Sequence, residues 1–117
     1  MSYRRFMPIE NIKLEVNPLW YENPEDDEGR PIYTHNERKE IILNDIADIM
    51  TNSGKVANAS KLRAYLLGNG FSCAIGCGVA IPHARCMQTK SLVMGFARCV
   101  QGVDFNAPDD EKVQIFI

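Results

Sequence analysis

Ser72-Cys73-Ala74-Ile75-Gly76-Cys77-Gly78-Val79-Ala80-Ile81-Pro82-His83-Ala84-Arg85 is the stretch on which the fold of this chain turns. Glycines at 68, 70, 76 and 78 break any helix and mark a tight, irregular segment. Val79 to Ile81 then reads as a short strand that ends at Pro82. A strand therefore delivers His83 to the surface at a proline-enforced turn. If a helical turn starts at Ala84 and Arg85, free backbone N–H groups and the positive end of the dipole lie beside the imidazole. Such a setting disfavours imidazolium and keeps the ring neutral and nucleophilic near pH 7. It also suits an anion arriving on the ring, with Arg85 offering a planar fork to phosphate oxygens. A lone histidine is more often packing or incidental than functional, so spacing alone leaves both readings of His83 standing.

Downstream, Ser91 to Arg98 reads as a second strand, its apolar run being too short for an ordinary helix. Val113 to Ile117 is a third, ending on Ile-Phe-Ile. Upstream, Thr34-His35-Asn36-Glu37 is a capping box. It opens a helix to about Ser53 with Ile42, Ile46, Ile49 and Met50 as its buried stripe, stopped by Gly54. His35, inside that box, reads as exposed and incidental. A second helix is predicted over Ala59 to Leu67, with Asn58 as cap, Gly68 just past the end, and Leu62, Leu66 and Tyr65 facing the core. Nearer the start, Ile12, Leu14 and Val16 alternate with polar residues as a half-buried strand does. Pro18 to Pro31 holds three prolines and a run, Glu22 to Glu28, with five acids in seven residues. This is expected to be a solvated loop whose ends are pinned by Trp20, Tyr21, Ile32 and Tyr33. No repeat or internal boundary is visible, so residues 1–117 read as one domain, with helices packed on a small mixed sheet.

At 117 residues, 45% hydrophobic and 24% charged, the composition is that of a globular domain and excludes a disordered or fibrous chain. A net charge of −2 provides no global basic field for nucleic acid. Apolar runs fall far short of the roughly 18 residues that span a bilayer, so no membrane insertion is expected. Arg4 and Arg5 have no apolar block behind them, which argues against a secretory signal and for a cytoplasmic protein. Cys73, Cys77, Cys86 and Cys99 are then expected as reduced thiols. Cys73, Cys77, His83 and Cys86 do offer the ligand types of a zinc site, although their spacing is not a standard knuckle. The competing reading is of small, inert, buried thiols.

The quoted stretch resembles the active-site signature of the phosphotransferase-system EIIA domains of the fructose/mannitol and nitrogen-regulatory type. That signature runs Ser-Thr-Gly-Ile-Gly-x-Gly, then hydrophobic-Ala-hydrophobic-Pro-His. Gly102-Val103-Asp104-Phe105, Ala107, Asp109 and Val113 continue the family pattern in register into Ile115-Phe116-Ile117. The resemblance covers residues 72–117, fits the two upstream helices loosely, and hardly touches residues 1–34. It implies an α/β, mannitol-EIIA-like sandwich: a small mixed sheet flanked by helices, with the family's C-terminal helices missing. One sheet face is then expected to be partly bare, predicting dimerisation or poor solubility. It also implies that His83 accepts a phosphoryl group from the phosphohistidine of an HPr-like carrier. The group then passes to an EIIB partner or signals to a regulatory target protein. Arg85, Ser72, Gly76, Gly78 and Ala84 are the implied phosphate-binding or supporting positions. No metal, nucleotide or other cofactor is implied.

The departures from the pattern are specific. The family's upstream Arg-Glu pair, whose arginine is an active-site residue, falls in register at Leu67 and Gly68, so that arginine is missing. Arg63, one helical turn earlier, would substitute only if its helix presents it to His83. Cys73 and Ala74 replace the Thr-Gly of the signature, and the family's second active-site histidine lies beyond Ile117. Three functions stay open: a phosphocarrier acting through His83, a degenerate family member serving as a binding or regulatory module, and a Cys/His metal site.

Overall fold

The computed structural model describes residues 7–69, 73–83 and 92–117. Helix α1, His35–Thr51, begins as its capping box requires. The Thr34 hydroxyl accepts from the Glu37 N–H at 3.1 Å and the Glu37 carboxylate accepts from the Thr34 N–H at 3.0 Å. Two otherwise unpaired backbone donors are thereby satisfied. Helix α2, Ala59–Asn69, is capped by the Asn58 side chain, which accepts from the Lys61 N–H at 3.1 Å. It packs Leu62 and Leu66 on Ala47 of α1, with Ile46 and Met50 half-buried along the seam. Tyr65, expected in that core, is 44% exposed, and the helix continues through Gly68 instead of stopping before it.

Five strands follow: β1 (Ile12–Lys13), β2 (Ala74–Gly76), β3 (Val79–Ala80), β4 (Phe96–Val103) and β5 (Val113–Phe116). They form one mixed sheet in the order β1-β4-β5-β3-β2, with β1 parallel to β4, β3 parallel to β5, and the other pairs antiparallel. Register sets Ala80, Phe116 and Ala97 side by side on the core face, and Val79, Ile115 and Arg98 on the other. The core face meets α1 through Ile42, Leu43 and Ile49. The edge of Phe116 meets both Trp20 and Phe105, with ring centroids 5.1 and 5.5 Å apart. On the outer face Val100 and Ile75 stand 63% and 61% exposed.

Three sequence expectations are corrected here. The strand predicted over 91–98 is instead Phe96–Val103, and Leu92 before it is 61% exposed. Gly95 passes so close to α1 that a Cβ there would lie 2.6 Å from the Met50 sulfur; the chain crosses the helix at that point and pairs only afterwards. The predicted strand over Ile12 to Val16 shrinks to two residues because the Asn17 side chain caps a tight turn at Pro18–Trp20. Ile32, expected to pin the acidic loop, is 53% exposed. Trp20 does that work: its indole donates to Asp45 at 2.7 Å, and Arg38 donates to its carbonyl at 3.1 Å. Arg30, two residues past the acidic run, pairs with both Asp26 and Glu28, an exposed arrangement worth little in stability. Among the described residues no helix is long and apolar enough to cross a membrane.

Candidate functional site

The segment 74–80, read from sequence as one strand behind a glycine loop, is a β-hairpin. Gly76, Cys77 and Gly78 form its tip, all with positive φ (+99°, +55° and +77°). At its open end the Ile81 N–H donates to the Cys73 carbonyl at 2.9 Å, and the Ile117 N–H donates to the Ala80 carbonyl at 3.0 Å. Pro82, lacking an N–H, ends the pairing. The next residue, His83, is exposed beyond the C-terminal end of β3.

Its Nδ1 lies 2.8 Å from the Ile81 carbonyl oxygen. A carbonyl only accepts, so Nδ1 carries the proton and donates it. In the neutral ring this leaves the lone pair on Nε2. The imidazole is thus oriented by its own strand, two residues back, with the nucleophilic nitrogen turned away from that bond. Beside it, Ile81 is 39% exposed, and Pro82 lines a small apolar hollow with Ile46, Ile49, Met50, Phe116 and Ile117.

The remaining sequence candidates fall in three groups. Ser72, Ala84, Arg85 and Cys86 lie outside the described residues. Gly76 and Gly78 are described, but at the far end of β3; five residues of extended chain set Gly78 roughly 15 Å from His83. They shape the hairpin. Cys73 and Cys77, two of the zinc-type ligands the sequence offers, differ sharply in setting. Cys77 is exposed at the tip, whereas Cys73 is buried under the open end. Burial pushes the Cys73 thiol up to about 11 and the Cys99 thiol upward too, which disfavours the thiolate a metal needs. Among the described residues no group of three or more His, Cys, Asp or Glu side chains could hold a metal ion.

Arg63 is paired with Asp48 of α1 across the helix seam. Leu67 is half-buried against the main core, so the register of the missing arginine carries no charge. His35 meets the Asn106 side chain in the β4–β5 connection.

Sequence reasoning noted Asp109 only as part of a downstream pattern. Its Oδ2 accepts from the Cys77 N–H at 2.7 Å and its Oδ1 from the Glu111 N–H at 3.1 Å. These bonds, the Cys77 one foremost, hold its carboxyl below the ordinary carboxylate range. Asp109 and Asp110 after Pro108 read as a turn, but nothing local announces a partner 32 residues away.

Comparison with known proteins bears on the family and the fold. Residues 31–117 match the family model described as phosphoenolpyruvate-dependent sugar phosphotransferase system, EIIA 2. The chain is 30% identical over 79 residues to the PTS system fructose-specific EIIA component of Haloferax volcanii, covering 66% of this chain and 51% of that protein. It is 32% identical over 78 residues to the PTS system fructose-like EIIA component of Escherichia coli K12, covering 65% and 53%. The chain thus spans about half the length of these curated relatives. In fold it is similar to the nitrogen regulatory protein IIA-Ntr from Neisseria meningitidis, with a TM-score of 0.66 at 19% identity, covering 96% of this chain and 65% of that one.

Proposed function

This chain belongs to the EIIA type-2 family of the phosphoenolpyruvate-dependent sugar phosphotransferase system, and we propose that it is a phosphocarrier whose acceptor atom is Nε2 of His83. The observation that carries this reading is the ring's bond to the Ile81 carbonyl, which commits Nδ1 as donor and leaves Nε2 free on an exposed turn. The Nε2 lone pair attacks the phosphorus of a phosphohistidine on an HPr-like carrier. One P–N bond forms as the other breaks, and the departing electron pair returns to the carrier's imidazole. Trading one P–N bond for another needs in-line positioning and charge neutralisation more than covalent machinery. The Nδ1–H bond persists after transfer and spreads the positive charge of the phosphorylated ring onto the Ile81 carbonyl. Arg85 and the backbone N–H groups of Ala84 and Arg85 are the proposed charge-holding groups, with Ser72 as a proposed supporting residue and Gly76 and Gly78 supporting the hairpin. The phosphoryl group then passes to an EIIB domain, or its presence is read by a regulatory target. The proposed setting is the cytoplasm, with residues 1–117 working as one unit and the outer sheet face, where Val100 and Ile75 are exposed, available to a second copy.

A second reading is favoured by one specific observation. With Leu67 at the arginine's register and Arg63 committed to Asp48, a family member that binds partners without carrying phosphate fits the same surface. Incubation with phosphoenolpyruvate, enzyme I and HPr separates the two, followed by intact-mass measurement under mildly basic conditions. One added phosphate on the wild type and none on His83→Ala supports the phosphocarrier. No transfer to folded protein overturns it in favour of the binding module.

A further inference from the structure

The hairpin that carries His83 is poorly defined by its own strands. β3 has two residues and β2 three, and their pairing slips: Ala74 faces Ala80 but Gly76 faces Val79, so β2 spends one residue more than β3. The side chains involved are small or weakly patterned, with Ala74 half-buried and Ile75 exposed. Hydrophobic patterning normally specifies register, and a bulge in so short a pair leaves it weakly specified. Something else must hold it.

We propose that Asp109 is a positioning residue for His83, its carboxylate clamping the hairpin tip and thereby fixing the register at which β3 delivers the histidine. One carboxylate joins the Cys77 N–H at the tip to the Glu111 N–H on the approach to β5. Both neighbours of β3 are thus tied together at the end remote from the site. The tip is shaped to receive it: a Cβ on Gly76 would stand 3.2 Å from Asp109 Oδ2, so the carboxylate occupies the space a side chain would take. Cys77 is held at φ +55°, a conformation that L-residues avoid. On the same side the Gly78 carbonyl accepts from both Gln114 and Ile115, at 2.8 and 3.0 Å. A slip of one residue would turn Ala80, now fully buried, to the outer face. It would also displace His83 by roughly 3.3 Å along the strand and reverse its side.

The functional half of this inference rests on the phosphocarrier reading; the structural half does not. The test compares Asp109→Ala with Asp109→Asn in the full chain. Backbone NMR contacts report the register through the pairs Val79–Ile115 and Ala80–Phe116, and the ring nitrogen frequencies report His83. Asp109→Ala is expected to shift both and to lower the rate of phosphoryl acceptance at saturating HPr by about tenfold or more. Asp109→Asn keeps an acceptor oxygen for Cys77 and is expected to recover most of that loss. Unchanged register and ring frequencies in Asp109→Ala overturn the proposal, whether or not the wild type takes phosphate. A wild type that takes none while Asp109→Ala shifts both spectra overturns the phosphocarrier reading and keeps the clamp. If Asp109→Ala does not fold, Asp109→Ser carries the same comparison, since its hydroxyl reaches Glu111 but falls short of Cys77.

Discussion

At the Gly76–Gly78 end, β3 is held by a carboxylate, by a carbonyl with two donors, and by three successive positive-φ residues. At the His83 end the restraints are one strand bond on either side, a proline, and a ring tied to its own backbone. The tip is over-determined, whereas the histidine end is exposed. A surface histidine that must present one nitrogen needs precision without enclosure. Here the precision is supplied from the opposite end of the strand, where enclosure obstructs nothing.

The contrast can be broken most severely at what both ends share. Phe116 pairs with Ala80 and packs on Trp20 and Phe105, so Phe116→Ala is expected to cost about 3–5 kcal/mol. Urea unfolding should then show tip and histidine signals melting together; a tip that survives alone would show that the two ends do not share a support. Next in size is a contrast within the hairpin. Cys77 is exposed at the tip, while burial raises the Cys73 thiol from 9.0 to about 11. Thiolate at pH 8 is then about a hundredfold scarcer at Cys73 than at an ordinary cysteine. Peptide mapping after brief alkylation should find Cys77 modified before Cys73, and equal labelling of the two would place the open end of the hairpin in solvent. A smaller loss is expected from Gly78→Val, about 1–2 kcal/mol for a β-branched residue at φ +77°. Ile81→Ala, at the half-exposed histidine end, should cost distinctly less, and equal losses would erase the asymmetry.

The smallest effect is a pH dependence. Asp109 has a folded pKa below its ordinary value, so its contribution to stability is present above the ordinary carboxylate range. It is lost as the pH falls through the lowered folded value. The penalty of Asp109→Asn seen at pH 7 should therefore close as the solution is taken below that range. Glu37 in the α1 cap behaves with the same sign. A gap between wild type and Asp109→Asn that is the same at pH 7 and pH 3 would mean that the carboxylate's charge contributes nothing to the clamp.

What the sequence made legible was local. Thr34 and Glu37 are three residues apart, and their spacing alone announces the start of α1. Pro82 before His83 similarly announces where a strand stops and a side chain surfaces. The hairpin was hidden because Ala74-Ile75-Gly76 has no strand character of its own; its partners lie in β3 and, through Asp109, beyond β4. The span of β4 was misplaced because Gly95 looks like a strand interior until α1 is seen lying against it. The orientation of His83 could not be read from residue types, since its partner is a backbone carbonyl. Arg63 shows the converse: its position along α2 was clear, but only packing reveals that Asp48 has claimed it.

Trp20 gives the molecule a built-in optical probe. It is the single tryptophan of the chain, 1% exposed, and its indole abuts Phe116. Phe116 and Pro82 line the same hollow beside His83. Emission from one buried fluorophore therefore reports on the neighbourhood of His83 without any label. A candidate partner's binding to that surface can be followed by the intrinsic fluorescence of the unmodified protein, provided the partner lacks tryptophan.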